Sequence, residues 1–93
     1  MYTIVWAEPA LQHIQSAHDY IAQFNPIAAI KVAKTLKKSG HSLAYNPCIG
    51  RRVPKTNMRE LVTSYPYIIR YRIVRDTVVI LRVRHTSRRP TNP

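Results

Sequence analysis

Apolar residues recur along the first half of the chain at the spacing of two helices. Between Glu8 and Phe24 they fall three and four positions apart, which predicts an amphipathic helix that starts beside Pro9. Asn25 is a good cap and Pro26 suits a first helical position, so a second helix should follow at once, antiparallel to the first. The positions predicted to be buried are Leu11, Ile14, Ala17 or His18, Ile21 and Phe24, then Ile27, Ile30, Ala33, Leu36, Gly40 and Leu43.

Strand patterns occupy the N-terminus, at residues 2–6, and the last third of the chain. Residues 46–57 hold two prolines and one glycine and are expected to form a loop. After it, residues 58–63, 67–75 and 78–85 read as three strands joined by tight turns. The predicted order is β-α-α-β-β-β, an α+β fold with a helical hairpin packed on a small antiparallel sheet. Gly40 either ends the second helix or lies inside it where the helices approach closely.

Side chains alternate along the last two predicted strands, so each strand has one apolar face and one mixed face. The mixed face carries arginines beside apolar residues, a combination typical of a docking surface with an apolar centre and a charged rim. It is expected to present Ile68, Arg70, Arg72 and Val74 from one strand and Val78, Ile80, Arg82 and Arg84 from the next.

Charge is concentrated in the half of the chain that should form the sheet. The formal net charge is +11, and all ten arginines lie between Arg51 and Arg89. This balance favours an acidic protein or nucleic acid as partner over a membrane surface, because the basic residues fall on strands. The lysines of the second helix are expected to solvate its outer side. Ninety-three residues predict one domain, 1–93, with a flexible tail at about 90–93.

Nothing in the sequence predicts a membrane span, a secretory signal or a metal site. The apolar runs are too short for a span, and Cys48 is the single cysteine, which fits a reducing cytoplasm. His13, His18 and His41 show no metal-ligand spacing to it. We therefore expect a cytoplasmic protein with no metal and no cofactor.

Nearly the whole chain carries short motifs in a fixed order. They are the segment from Trp6 to Ala10, Tyr20-Ile21-Ala22, Asn25-Pro26 with Ala28-Ala29, Leu43, Asn46-Pro47, Gly50-Arg51, Arg59-Glu60-Leu61-Val62, Tyr67 to Arg72, and Ile80 to Arg88. This ordered set resembles the RelE/ParE superfamily of toxins from bacterial type II toxin–antitoxin systems, and more closely its ParE branch. The resemblance implies the RelE/ParE-like fold and a cognate acidic antitoxin as partner, with operator DNA bound only through that antitoxin.

The branch decides the expected mechanism. RelE-like members, which are ribosome-dependent messenger ribonucleases, carry an arginine three residues before the tyrosine that matches Tyr71, where this chain has Ile68. They also tend to end with a functional tyrosine, and no tyrosine follows Tyr71 here. ParE-like members resemble inhibitors of DNA gyrase that need no catalytic residues. Gyrase inhibition is therefore expected. The alternatives are a ribonuclease that uses His85, Arg70 and Arg72, or an inactive relic that only binds its partner.

Candidate site residues fall into three groups. Arginine makes planar bidentate contacts to carboxylate and phosphate, so the C-terminal cluster is expected to bind the target. The groups are target-binding Arg82, Arg84, His85, Arg88 and Arg89; antitoxin-binding Val78, Ile80, Arg82, Arg70, Arg72 and Ile68; and structural Arg59, Glu60, Trp6, Asn25 and Pro26.

Each group has a plainer interpretation. The arginine cluster could be a solvated edge that prevents strand-to-strand aggregation, and His85 could simply end an apolar strand face. Arg59 and Glu60 could bind a target or form a salt bridge to the first helix, with Asp19 as a candidate partner. The antitoxin is expected to contribute a helix followed by an extended tail that lies across the mixed face and folds on binding.

Overall fold

The elements of the computed structural model, which describes residues 1–87, follow the predicted order with one addition. A two-residue strand lies inside the predicted loop and pairs with the strand that follows it. The elements are β1 (Thr3–Trp6), α1 (Glu8–Ala22), α2 (Pro26–Ser42), β2 (Arg51–Arg52), β3 (Met58–Val62), β4 (Tyr67–Val74) and β5 (Thr77–His85). Arg88, Arg89 and the predicted tail at about 90–93 lie outside the described residues.

The five strands form one sheet in the order β1-β5-β4-β3-β2. The antiparallel meander β3-β4-β5 is confirmed, while β1 adds a parallel edge to β5, so the sheet is mixed. Both helices pack on the same face of the sheet, and the core lies between the two layers. Among residues 1–87, neither helix is long and apolar enough to cross a membrane.

The helices bury a narrower and smaller set of side chains than the sequence pattern predicts. Small residues take up part of the buried surface of the helices, with Ala10 and Ala29 both fully buried. Because alanine lets a helix approach closely, the large apolar residues beside it are left on the flanks. The predicted burial is confirmed for Ile14, Ala17, Leu36, Gly40 and Leu43 but wrong for four residues, namely Leu11, Phe24, Ile27 and Ile30, which are exposed.

Gly40 lies inside α2, where that helix passes close to Trp6 of β1 and Ile80 of β5. A Cβ atom there would come within 2.5 Å of the Trp6 indole ring and 2.8 Å of Cδ1 of Ile80. The glycine therefore admits the Trp6 ring between helix and strand. The close approach predicted by the sequence exists, but it lies between α2 and the sheet rather than between the two helices.

A β-bulge at Leu81 changes which side chains of β5 share a face. Arg70 pairs with Arg82, but the next residue, Tyr71, pairs with Ile80, so Leu81 is an extra residue in β5. The prediction that Val78 and Ile80 share a face with Arg82 and Arg84 is therefore wrong. Val78 and Ile80 point toward the helices and are fully buried, while the two arginines lie on the opposite face.

Candidate functional site

The face of the sheet opposite the helices, called here the outer face, carries a row of charged residues across four strands. Arg51 of β2 pairs with Glu60 of β3, Glu60 with Arg70 of β4, and Arg70 with Arg82 of β5. Neighbouring strands lie about 4.8 Å apart, so the row spans about 15 Å. Three cations and one carboxylate thus stand side by side on one face.

Glu60 is the buried centre of this row, with a side chain that is only 7% exposed. Its carboxylate accepts hydrogen bonds from Nη2 of Arg70 at 2.7 Å and from Nε of the same arginine at 3.1 Å. Arg84 and Arg51 approach it at 3.7 Å and 3.6 Å. Burial alone would raise the pKa of Glu60, but the hydrogen bonds and charge of Arg70, with the charges of Arg84 and Arg51, lower it below the usual range.

The cluster around Glu60 keeps an excess of positive charge, and two hydrogen bonds fix the direction of the Arg70 guanidinium group. Three arginines surround one carboxylate, which leaves a formal charge of +2. Arg72 and Arg82 are exposed on the same face and add to this charge. Because a guanidinium group has five N–H donors, Arg51 and Arg70 can pair with Glu60 and still offer donors to an external anion.

Apolar side chains accompany these charges on the outer face. Val62 is 66% exposed, Val74 is 44% exposed and Val5 is 45% exposed. Ile68, the cross-strand partner of Arg84, is 8% exposed. The outer face thus has the mixed apolar and cationic character that the sequence predicts, although Val78 and Ile80 are not part of it.

His85 lies on the face of β5 that the helices cover. It pairs with Tyr67, and the two rings meet edge to face with their centroids 5.2 Å apart. Nδ1 of His85 accepts a hydrogen bond from the backbone N–H of Ser87 at 3.1 Å and lies 2.6 Å from the Ser87 hydroxyl. Arg70 and Arg72 lie on the outer face, so the structure does not bring these three candidates for ribonuclease chemistry together.

Arg59 points toward the loop before β2 and not toward the first helix. Its Nη1 donates to the backbone oxygen of Gly50 at 2.9 Å and to that of Cys48 at 3.2 Å. Asp19 instead bonds to Gln15 and His18 on its own helix. A salt bridge from the sheet to Asp19 was therefore a wrong prediction, and Arg59 stabilises a loop.

The other residues expected to be structural lie where secondary-structure elements meet. Oδ1 of Asn25 accepts a hydrogen bond from the backbone N–H of Ala28 at 3.0 Å, and Pro26 is the first residue of α2. Trp6 packs over Gly40 and meets the ring of His41 edge to face at 5.8 Å. Across residues 1–87, no group of three His, Cys, Asp or Glu side chains is placed to hold a metal ion.

The buried ion-pair cluster is the part of the site that the sequence did not reveal. Glu60, Arg70 and Arg84 come from three different strands, and their pairing depends on the register of the sheet. A signal was nonetheless present in the sequence. Glu60 is the one acidic residue on the three strands of the meander, and such a carboxylate among arginines must find cationic partners when it is buried.

Solved structures share this architecture along almost the whole chain. A chromosomal ParDE TA system from P. aeruginosa contains a chain that superposes with a TM-score of 0.84 at 20% identity, covering 94% of this chain and 98% of that one. The toxin-antitoxin complex RelBE2 from Mycobacterium tuberculosis matches with a TM-score of 0.67 at 22% identity, covering 90% and 96%. The fold is that of RelE/ParE superfamily toxins.

Sequence relatives define the family. Residues 4–90 match the family model described as the ParE toxin of the type II toxin-antitoxin system, parDE. "Toxin RelE2" of Caulobacter vibrioides is 43% identical over 95% of this chain and 99% of its own, and "Putative toxin Y4kP" of Sinorhizobium fredii is 40% identical over 88% and 85%. The chain belongs to the ParE toxin family of type II toxin–antitoxin systems, which confirms the resemblance seen in the sequence.

Proposed function

We propose that this toxin inhibits DNA gyrase by binding it and that a cognate acidic antitoxin holds it inactive. The match to the ParE toxin family supports the gyrase branch. The outer face carries the proposal, because it combines several guanidinium groups with exposed apolar side chains and suits binding more than catalysis. Arg82 and Arg84 are the described residues proposed to contact the target, and Arg88 and Arg89 continue the same basic segment.

The geometry of the candidate catalytic groups also favours binding over catalysis. A ribonuclease needs groups that move protons placed within reach of one phosphodiester, together with cations that stabilise the developing charge. Arg70 is engaged by Glu60, and His85 lies on the opposite face beside Tyr67. Ile68 occupies the position where RelE-like members have an arginine.

The antitoxin is proposed to cover the outer face with an acidic, partly apolar segment. The structural neighbours are toxin-antitoxin complexes, which supports a protein partner of this kind. Carboxylates of the segment would meet Arg70, Arg72 and Arg82, and its apolar anchors would pack near Ile68. The segment folds when it binds, and the complex contacts operator DNA through the antitoxin.

A ribosome-dependent ribonuclease is the second candidate. The observation in its favour is that two relatives carry RelE names, "Toxin RelE2" and "Toxin RelE3" of Caulobacter vibrioides, which are 43% and 37% identical to this chain. A ribonuclease of this kind would need Arg70, Arg72 and His85 to act from opposite faces of the sheet or after a rearrangement of the strands that carry them. An inactive relic that only binds its partner is the third.

Two assays run in parallel separate the candidates. Toxin freed of antitoxin is incubated with gyrase and relaxed plasmid, and separately with ribosomes and messenger RNA. Loss of supercoiling with trapped linear DNA and intact messenger is the expected result. Cleaved messenger with normal supercoiling would contradict gyrase inhibition, and two negative assays would favour the relic.

Variants of the outer face then locate the contact with gyrase. The double variant R82A/R84A should lose inhibition by about 10-fold or more, since truncation of a binding hot spot costs about 2 kcal/mol or more. The control K31A/K38A removes the same charge from the exposed side of α2 and should leave inhibition unchanged. Equal losses in both variants would attribute the effect to net charge alone.

A further inference from the structure

A concave pocket of about 330 Å³ lies at the corner of the sheet where β2 ends and β3 begins, and it is called here the corner pocket. Its lining residues are Arg52, Asn57, Met58, Arg59 and Ile73. Arg52 pairs with Arg59, and Arg59 pairs with the fully buried Tyr71, so both arginines lie on the face of the sheet that holds the core. The sheet therefore separates the corner pocket from the charged row on the outer face.

Two arginines stand opposite each other in this pocket. Directly opposed residues on antiparallel strands have Cβ atoms about 5 Å apart, and like charges at such positions destabilise the sheet. Among residues 1–87, neither Arg52 nor Arg59 forms an ion pair, and Glu60 lies on the opposite face. The pocket thus keeps two neighbouring positive charges whose repulsion a bound anion would relieve.

Arg59 is held in place by the loop before β2. Its Nη1 donates to the backbone oxygens of Gly50 and Cys48, which fixes the plane of the guanidinium group. Because these two bonds use the donors of Nη1, the group keeps three donors on Nε and Nη2 for an external acceptor. Arg52 is exposed and supplies a second guanidinium group beside the first.

The charge and size of the corner pocket favour a nucleotide over other anions. A carboxylate carries one negative charge, whereas a terminal phosphate monoester carries about 1.5 to 2 near pH 7 and has three acceptor oxygens, which suits two arginines. The volume falls within the range of small-molecule sites, roughly 300–1,000 Å³, and leaves room for more than an inorganic ion. Ile73 offers an apolar contact for a base or a sugar, and the amide of Asn57 offers a donor and an acceptor for the edge of a base.

We propose that the corner pocket binds a nucleotide through its terminal phosphate. The phosphate bridges Arg52 and Arg59, and the nucleoside lies against Ile73 beside the amide of Asn57. A free nucleotide and the 5′-phosphorylated end of a nucleic-acid strand present this same chemical group. The site goes beyond gyrase inhibition and does not depend on it, because the residues proposed to contact the target lie on the other face of the sheet.

Calorimetric titration of antitoxin-free toxin with adenosine 5′-monophosphate at about 0.15 M salt tests this site, since salt at this concentration screens contacts between distant exposed charges. The variant R52N should weaken binding by about 10-fold or more, because it removes one of two charge-assisted contacts. R75N makes the same substitution at an exposed arginine in the turn after β4, whose φ of 57° suits asparagine, and should stay within about threefold of wild type. Equal weakening by the two variants would overturn the site, and so would a wild-type toxin that does not bind the nucleotide.

Other ligands test which parts of the nucleotide are recognised. Adenosine 5′-monophosphate should bind about 10-fold or more tightly than inorganic phosphate and than adenosine, because only the nucleotide fills both parts of the pocket. Equal affinity for inorganic phosphate would overturn the nucleotide as the ligand. Amide resonances of Asn57, Arg59 and Ile73 should shift during the titration, and shifts centred on Arg70 and Arg82 would instead contradict the corner pocket.

A DNA tetranucleotide with and without a 5′-phosphate distinguishes the two sources of the phosphate. If the phosphorylated form binds more tightly than both the unphosphorylated form and adenosine 5′-monophosphate, the ligand is a strand end. If it binds less tightly than the mononucleotide, the ligand is a free nucleotide. Equal binding of the two tetranucleotides, with or without the phosphate, would contradict recognition of a strand end.

Discussion

The imidazole of His13 and the backbone of Val83 are joined by a hydrogen bond that ties α1 to β5. Nδ1 of His13 accepts from the Val83 N–H group at 3.2 Å. Strand β1 pairs with β5 only as far as Ile80, where the backbone N–H of Ala7 donates to the Ile80 carbonyl. Beyond Ile80, α1 lies beside β5 in place of β1. The His13 side chain therefore accepts the hydrogen bond from the Val83 N–H that a neighbouring strand would otherwise accept.

This contact makes stability depend on pH. Burial, with the charge of Arg82 as a smaller cause, lowers the pKa of His13, and its Nδ1 can accept a hydrogen bond only when unprotonated. In the unfolded chain His13 takes up a proton below about pH 6.5, whereas in the folded protein it does so only at a lower pH. The free energy of unfolding should therefore fall as the pH drops from about 6.5 through the lowered pKa. The loss is at most about 1.4 kcal/mol for each unit of pH.

The variant H13N isolates this effect. An asparagine oxygen can accept from the Val83 N–H at any pH, so unfolding free energies of H13N should fall less between pH 7.5 and 5 than those of wild type. Urea unfolding at several pH values measures the difference, and the other three histidines cancel in the comparison. Parallel curves for the two proteins would contradict a pH-dependent role for His13.

The sequence predicts what is encoded locally. Asn25 and Pro26 place the junction of the helices because a cap and a fixed φ act within one turn, and the strands of the meander follow from alternation and turns. The bulge at Leu81 escapes prediction because the residues around it alternate without interruption. Its position depends on how β5 meets β4 and on the change from β1 to α1 as its other neighbour.

The candidate site shows the same limit. Arg82 and Arg84 could be assigned to an outer face because they alternate with apolar residues. The ion pair between Glu60 and Arg70 could not be predicted without the register of β3 against β4, because the two residues lie on different strands and are ten positions apart in sequence. Ile30 was wrongly predicted to be buried. The periodicity of apolar residues shows that one side of a helix is apolar, but it does not show whether the sheet covers that side.

Glu60 should be the most important charged residue for stability. The variant E60Q leaves Arg70, Arg84 and Arg51 without their shared carboxylate and should cost about 2–3 kcal/mol of unfolding free energy. The lower end of the range for broken buried pairs applies, because the arginines are partly exposed. The control E8Q changes an exposed glutamate that accepts a hydrogen bond from Gln12 and should cost little.

The pH dependence of E60Q provides an independent check. Because the folded pKa of Glu60 is lowered, its contribution is present above the unfolded value of about 4.3 and is lost as pH falls below it. Wild type and E60Q should therefore converge in stability under acid conditions and differ at neutral pH. A difference that stays constant between pH 7 and 3 would show that the charge of Glu60 is not what stabilises the cluster.

Gly40 gives a test of packing between α2 and the sheet. In an exposed helix, replacing glycine by alanine would stabilise by about 1 kcal/mol. Here the new Cβ would lie 2.5 Å from the Trp6 ring, so G40A should destabilise by about 1–3 kcal/mol. Thermal unfolding of G40A and of the exposed control K38A measures this, together with the Trp6 fluorescence. A higher melting temperature for G40A would mean that Trp6 can move aside cheaply.

Tyr71 fixes the loop that leads into β2. Its hydroxyl accepts from the Gly50 N–H at 2.9 Å and donates to the Pro47 carbonyl at 2.6 Å. Burial raises the pKa of the Tyr71 phenol further above neutrality. A phenylalanine would leave the Gly50 N–H and the Pro47 carbonyl without this partner. The hydroxyl also packs closely on Gly50, where a Cβ would lie 2.5 Å from the Tyr71 oxygen.

Y71F should therefore lose about 1–3 kcal/mol of unfolding free energy, and the Gly50 amide should exchange faster with solvent. The control Y45F alters a tyrosine that is 80% exposed and should change neither quantity. Because Arg51 follows Gly50 directly and reaches Glu60, loosening of this loop should also reduce the protection of β2 while β4 and β5 stay protected. Loss of protection throughout the sheet would contradict a local role, since Tyr71 would then support the whole core and not one loop.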